Sequence, residues 1–166
     1  MIHEDIKLIG QKPNYTEYNR HPYLFTSMVN LNPNCKSLLS FGCSIGKEAQ
    51  SIRDIYYKDK SIIIHGLDVR KDNINYANQN VSKELNIQFF TYDDFIPMEY
   101  ECIVACHCLC HYKLGLDKWI NTVNSILNML KVGGIFIFHD TTYDITKTIL
   151  NNRVEIATIN DYYALS

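Results

Sequence analysis

An α/β fold built on a central, mostly parallel sheet with helices on both faces is predicted by three observations. Short β-branched, apolar segments alternate along the chain with amphipathic ones of helical period. Ile62, Ile63 and Ile64 form a continuous run of the kind parallel strands use when buried on both faces. The segment Ser37 to Ala49, SLLSFGCSIGKEA, reads as a strand, a tight turn with two glycines and a helix start. Such a unit aims backbone N–H groups outward at the C-terminal end of a strand.

The elements follow in order. The first twenty or so residues are polar and mixed, which suits a surface segment. Pro22 fits the first turn of a helix carrying Leu24, Phe25, Met28 and Val29, and the turn-forming Asn30-Leu31-Asn32-Pro33-Asn34 ends it. Leu38 to Phe41 is strand one, and Lys47 to Tyr57 a helix with Ala49, Ile52 and Tyr56 on one face. Strand two runs from Ser61 to Leu67, a helix from Asp72 to Leu85, strand three from Ile87 to Tyr92, and strand four from Glu101 to Cys106. The clearest helix is Asp117 to Lys131, with Trp119, Ile120, Val123, Ile126, Leu127 and Leu130 at three-and-four spacing. Asp117 is its expected N-cap, and Gly133 its left-handed cap. Ile135 to Phe138 is strand five. After Asp140 there is room for one further helix, Ile145 to Leu150, and one strand, Val154 to Ile159. The sheet is therefore expected to be shortened at its C-terminal end, leaving an edge on which a homodimer could pair.

Composition bounds the function. A chain of 166 residues with 46% hydrophobic and 20% charged residues suits one globular domain, 1–166, in which 1–34 form an N-terminal helical cap region. The net charge of −2 comes without a basic stripe, which disfavours nucleic acid as a partner. No apolar run approaches the roughly 18 residues of a membrane span, and the opening Met1-Ile2-His3-Glu4-Asp5 is not a secretion signal. Four of the six cysteines crowd between Cys102 and Cys110, a poor disulfide framework. A reduced, cytoplasmic setting is expected.

The glycine turn fits two motifs. Gly42-Cys43-Ser44-Ile45-Gly46 spells the G-x-S-x-G elbow of serine hydrolases, with Ser44 as nucleophile and Asp117 and His139 as partners. No oxyanion-loop segment precedes it, which weighs against that reading. The same turn fits a nucleoside-cofactor loop. An acid should then stand at the end of the next strand to accept hydrogen bonds from ribose hydroxyls, and Asp68 does, about 20 residues beyond Gly46. Ser44 replaces the glycine that would let a pyrophosphate approach, so a cofactor without phosphate fits better. In an open α/β sheet the chemistry collects beyond the strand C-termini. That edge receives Gly42 to Gly46, Asp68, Asp93, Cys106 to His111 and His139 to Tyr143.

From Leu38 to His139 the chain resembles the class I S-adenosylmethionine-dependent methyltransferases, with five motifs in order. Leu39-Ser40-Phe41-Gly42-Cys43-Ser44-Ile45-Gly46 is similar to the first motif as it stands in the chemotaxis-receptor methyltransferases and related bacterial proteins. Asp68, with Val69 beside it, matches the ribose-binding acid. Gln88 to Asp93, with Asp94 following, matches the segment that meets the adenine amino group. Tyr100 to His107 matches strand four, and Leu130 to Gly134 the turn before strand five. Tyr18-Asn19-Arg20-His21-Pro22 resembles a stretch preceding the first motif in some bacterial members. The resemblance implies a Rossmann-like three-layer sandwich, S-adenosylmethionine as cofactor and S-adenosylhomocysteine as product. It implies cofactor contacts from Gly42, Cys43, Ser44, Gly46, Asp68, Val69, Asp93, Asp94, Cys106 and His107. The family's usual first-motif acid is Ser40 here, and the receptor-type variant gives part of its role to Glu48.

Methyl transfer needs positioning, exclusion of water and, for some acceptors, removal of a proton. His111, and after it His107, are the candidate bases in the loop after strand four, because imidazole titrates near neutrality. Tyr112, His139 and Tyr143 are candidates for the acceptor pocket. Arg20 is a candidate partner for the cofactor carboxylate. The acceptor is expected to be a small molecule or a protein side chain. A cofactor-binding subunit without catalysis is the competing class. The histidines and cysteines from Cys106 to His111 could suggest zinc, but C-x-C-x-C in one segment lacks the paired spacing of such sites, so no metal is expected.

Overall fold

The computed structural model describes residues 15–81, 85–110, 115–141, 143–154, 156–159 and 162–165. Helix α1 (Pro22–Leu31) leads into β1 (Ser37–Phe41), α2 (Lys47–Ser51), β2 (Ile63–Leu67), α3 (Lys71–Asn80), β3 (Ile87–Phe90) and β4 (Tyr100–Leu109). Then come α4 (Leu116–Leu127), β5 (Leu130–Thr141), β6 (Ile156–Ile159) and β7 (Tyr162–Leu165). Among the described residues these strands make one seven-stranded sheet in the order β3-β2-β1-β4-β5-β7-β6. The first five are parallel, and β7 pairs antiparallel with both β5 and β6.

Strand alternation divides the core in two. Leu38, Ile64, Ile87, Cys102, Val104, Ile135 and Ile137 face α1, α2 and α3, where Phe25, Met28, Ile52 and Ala77 meet them. Leu39, Phe41, Ile103, Phe136 and Phe138 face Trp119, Val123 and Ile126 of α4. This is the expected three-layer sandwich. The isoleucine run is less symmetric than expected: Ile62 and Ile64 are buried, whereas Ile63 is 45% exposed on the opposite face.

Several boundaries depart from the sequence expectation: β4 runs on to Leu109 rather than ending at Cys106, and β5 spans Leu130–Thr141 rather than Ile135 to Phe138. The helix after the glycine turn is regular only to Ser51 and continues as one π-helical turn, Ile52–Tyr56. There the buried Arg53 guanidinium donates to the carbonyls of Tyr57, Asp59 and Ile62, which fixes the chain reversal before β2. Helix α4 starts after Gly115, so Asp117 lies in its first turn rather than at its N-cap. It ends at Asn128, because β5 begins at Leu130 and pairs that residue with Tyr100; Gly133 adopts its positive φ of 75° within β5.

The C-terminal end is compressed in its helix rather than in its sheet. The helix expected over Ile145 to Leu150 is two 3-10 turns, Ile145–Lys147 and Ile149–Arg153. Asp144 Oδ1 accepts Thr146 N–H at 3.0 Å and Thr148 Oγ1 accepts Leu150 N–H at 3.2 Å, so each turn is capped before a helix can propagate. Two strands follow instead of one, and β7 covers the edge of β5 on which pairing with another chain was expected.

Candidate functional site

Strand order reverses between β1 and β4, which places a crevice beyond their C-terminal ends. The chain leaving β1 is anchored there. Gly42 and Cys43 N–H both donate to Leu67 O, at 2.8 and 3.1 Å, and Gly46 N–H closes the turn on Cys43 O at 3.0 Å. The glycines are demanded by packing as well as by their positive φ. A Cβ on Gly42 would stand 2.6 Å from Cys108 Cβ, and one on Gly46 would stand 2.7 Å from the Phe89 ring. Ser44 also has positive φ, 51°.

Asp68 fastens this turn. Its Oδ2 accepts Ser44 N–H at 2.9 Å, and its Oδ1 accepts Arg70 N–H at 2.9 Å and Asn73 Nδ2 at 3.3 Å. Glu48, to which the resemblance gives part of the first-motif acid's role, lies against Ser40, which stands in that acid's place. Ser40 Oγ donates to Glu48 Oε1 at 2.7 Å, so the hydroxyl on β1 holds the carboxylate that α2 supplies. Burial raises the pKa of Glu48, while hydrogen bonds from Ser40 and Cys106 and the charge of Arg20 oppose that rise.

These groups line one open cleft. Gly42, Cys43, Ser44 and Glu48 form its floor, and Asp68 and Val69 one wall. Cys106 and His107 form another, and Arg20 stands across from them with its guanidinium 4.8 Å above the Tyr15 ring. Gly46 lies in the turn but does not line the cleft. Neither do Asp93 and Asp94, which are exposed after β3; Asp94 Oδ2 accepts Thr91 Oγ1 at 2.7 Å. The segment 15–21, also part of the cleft, is pinned from behind. Asn19 N–H donates to Ser51 Oγ at 2.7 Å, and Tyr56 Oη donates to Asn19 Oδ1 at 2.7 Å.

A second cluster adjoins the first. On β4 the alternation breaks at His107, whose φ is 56° and where the register with β5 shifts. Cys106 therefore faces α1 and Cys108 the α4 side, separated by one bulged residue. The bulge brings His107 against His139 from β5, ring centroids 4.7 Å apart, and against His21 at the start of α1, 5.0 Å apart. His21 and His139 are 4.7 Å apart. His107 Nδ1 lies 3.0 Å from Asp140 Oδ2, and Asp140 also holds a positive φ, 62°. Burial, and then the neighbouring imidazoles, lower the pKa of His21 to about 4 and lower that of His139.

The other expected site residues lie elsewhere. His111 and Tyr112 fall outside the described residues. Tyr143 packs edge-on against Trp119 at 5.7 Å, on the α4 face, where it is partly buried against the core. The hydrolase arrangement does not assemble: Ser44 Oγ is buried with no hydrogen-bond partner, and Asp117 is exposed on α4. That orphaned hydroxyl at the cleft instead fits a polar ligand, as does the free acceptor capacity of Asp68 and Glu48. Sequence reading missed His21 and Asp140, which only the bulge and the packing of α1 bring to the site.

Comparison with known proteins places this geometry. A family model described as a methyltransferase domain matches residues 14–162. Compared with curated proteins, the sequence has no significant match. Similar solved structures include a fragment of StiE O-MT, with a TM-score of 0.64 and 18% identity over 82% of this chain and 51% of that one. Another is CalS10, an amino pentose methyltransferase from Micromonospora echinaspora bound to SAM, with a TM-score of 0.62 and 10% identity over 89% of this chain and 59% of that one. A third is the O-methyltransferase of a trans-AT PKS multienzyme of Brevibacillus brevis in complex with S-adenosyl-L-homocysteine. It gives a TM-score of 0.60 and 22% identity over 74% of this chain and 40% of that one. At these identities the likeness is one of fold, and this chain spans roughly half the length of the structures it resembles.

Proposed function

We propose that this chain, which belongs to the methyltransferase-domain family, binds S-adenosylmethionine and transfers its methyl group to an acceptor brought against His107. The observation that carries the reading is the Ser40–Glu48 hydrogen bond beside Asp68, at the switch point of the sheet. It sets two carboxylates around one cleft, one for the ribose hydroxyls and one for the cationic amino group of the cofactor's amino-acid end. Arg20 suits the carboxylate of that same end, and Val69 flanks the adenosine. Cys106 and His107, which line the same cleft, would border the methyl group of a cofactor held in this way.

The chain's own residues bind, orient and take a proton. The acceptor's nucleophilic atom bonds to the methyl carbon as the carbon–sulfur bond breaks. Sulfur keeps that electron pair, leaving S-adenosylhomocysteine, and the acceptor releases its proton. In this reading His107 takes that proton. Asp140 fixes its Nδ1, and its Nε2 is buried without a hydrogen-bond partner. His139 borders the acceptor side.

The acceptor is a small molecule or a protein side chain. The chain carries no basic stripe for nucleic acid, and the amino pentose methyltransferase among the similar structures has a small-molecule acceptor by name. A reducing, cytoplasmic setting is part of the same proposal, supported by six cysteines that are all free thiols. Among the described residues no helix is long and apolar enough to cross a membrane. Calorimetric titration of S-adenosylhomocysteine into the wild type and an Asp68→Ala variant tests the reading. Binding that the variant loses supports it. Absence of binding to the wild type overturns it.

A further inference from the structure

We propose that His21, His107 and His139 form a binding site for one divalent transition-metal ion of the zinc class, beside the cofactor cleft. The three imidazoles come from three separate elements, the start of α1, the bulge of β4 and the end of β5, and each presents a ring nitrogen within 4.8 Å of the others. Nitrogens bound to a tetrahedral zinc ion at 2.0–2.1 Å sit ~3.4 Å apart, so small ring rotations close the site.

Two further observations point to a ligand. His21 Nε2 and His107 Nε2 are buried and have no hydrogen-bond partner. A buried ring nitrogen without a partner forfeits the hydrogen bond it would make in water, and two in one histidine cluster need a reason. A metal ion takes neutral imidazole lone pairs directly. The second observation is the His107–Asp140 contact of 3.0 Å. A carboxylate accepting Nδ1–H fixes the tautomer that leaves Nε2 as a metal ligand, the outer-shell arrangement common to histidine metal sites. His107 and Asp140 both hold positive φ, 56° and 62°, to make that contact.

Cys110 offers a rival set with His107 and Asp140. There Asp140 would have to ligate with the carboxylate that already receives His107 Nδ1. Three protein ligands leave a fourth position open, as in catalytic rather than structural zinc sites. An acceptor hydroxyl, thiol or amine bound there would lose its proton more readily. This role rests on the methyl-transfer reading, whereas the site itself does not. The ligand role and the proton-accepting role of His107 use the same Nε2 lone pair, so metal-loaded and metal-free protein deprotonate an acceptor by different means.

The test is titration of cobalt(II) into the full chain after chelator treatment, followed by visible absorption, with zinc competition. The expected result is one tetrahedral cobalt spectrum per chain, displaced by zinc and without a thiolate charge-transfer band. His21→Ala and His139→Ala should each weaken binding by at least about 100-fold, and Asp140→Asn by roughly 10- to 100-fold. Cys110→Ser should leave it unchanged, and circular dichroism of each variant verifies the fold. No cobalt spectrum, a spectrum with a thiolate band that Cys110→Ser removes, or binding that survives both histidine substitutions would overturn the site. S-adenosylhomocysteine calorimetry on the same preparation separates the two failures. Cofactor without metal overturns only this site, and metal without cofactor overturns only the methyl-transfer reading.

Discussion

Asp68 can accept about four hydrogen bonds as a carboxylate, and three of those positions are used by Ser44 N–H, Arg70 N–H and Asn73 Nδ2. A ribose diol needs two acceptors, so cofactor binding must also displace or share the Ser44 contact. The acid and the glycine turn are therefore one unit. Asp68→Ala should lower S-adenosylhomocysteine affinity by roughly 10- to 100-fold, the weight of one charge-assisted hydrogen bond or more, as read by calorimetry. Glu48 makes a different prediction. Its folded pKa is raised by burial, so its contribution to stability is present below the unfolded carboxylate pKa and lost as pH rises through the folded value. Glu48→Gln should make the cofactor-free protein more resistant to urea at neutral pH and flatten that pH dependence. The same variant should bind S-adenosylhomocysteine roughly 10-fold or more weakly, because the cofactor's amino group loses its counter-charge. Asp68 was legible from its strand-end position and its spacing from the glycine turn, and Glu48 from the family resemblance of the first motif. His21 and Asp140 were not, because their convergence depends on two positive-φ residues and a one-residue bulge that no residue pattern announces.

The bulge in β4 and the glycine turn after β1 are packed against each other. Gly42 sits under Cys108, whose side chain reaches that face only because His107 breaks the alternation. Gly42→Ala places a Cβ 2.6 Å from Cys108 Cβ at a φ of 72°. The expected cost is ~2 kcal/mol or more in urea denaturation, from overpacking and left-handed strain together, with loss of cofactor binding. A Cys108→Gly change in the same background should recover part of the stability. Regular elements were the easiest to read: α1 and α4 follow their three-and-four periodicity, and β1, β3 and β5 their apolar runs. The irregular ones escaped because side chains acting on backbone override periodicity. Arg53 gathers three carbonyls and turns a helix into a π turn, and Asp144 and Thr148 cap two 3-10 turns where a helix pattern stood.

At the scale of the molecule, the groups lining the cleft gather at the C-terminal ends of β1, β2 and β4, with Arg20 reaching them from the segment before α1, while the sheet beneath is largely apolar and buried. Ser37, Leu38, Leu39, Ser40 and Phe41 are all buried, so the site stands on the least mobile part of the fold. Ligand binding to such a site should couple to global unfolding. S-adenosylhomocysteine at 100 times its Kd should stabilise the chain by ~2.7 kcal/mol, seen as a raised thermal midpoint, and Asp68→Ala at the same ligand concentration should show about half of that rise or less. The layer order, the switch point and the cleft follow from strand–helix alternation, which is why the architecture was readable from sequence. The hairpin of β6 and β7 was not, since its two four-residue strands carry too short a pattern to separate from one longer strand.

The most direct test of the account is a crystal structure of the chain with S-adenosylhomocysteine. The account predicts the ribose on Asp68, the amino group on Glu48 beside Ser40, and the sulfur turned toward Cys106 and His107. A ligand bound elsewhere, or one in the cleft with its amino-acid end away from Glu48, would contradict it.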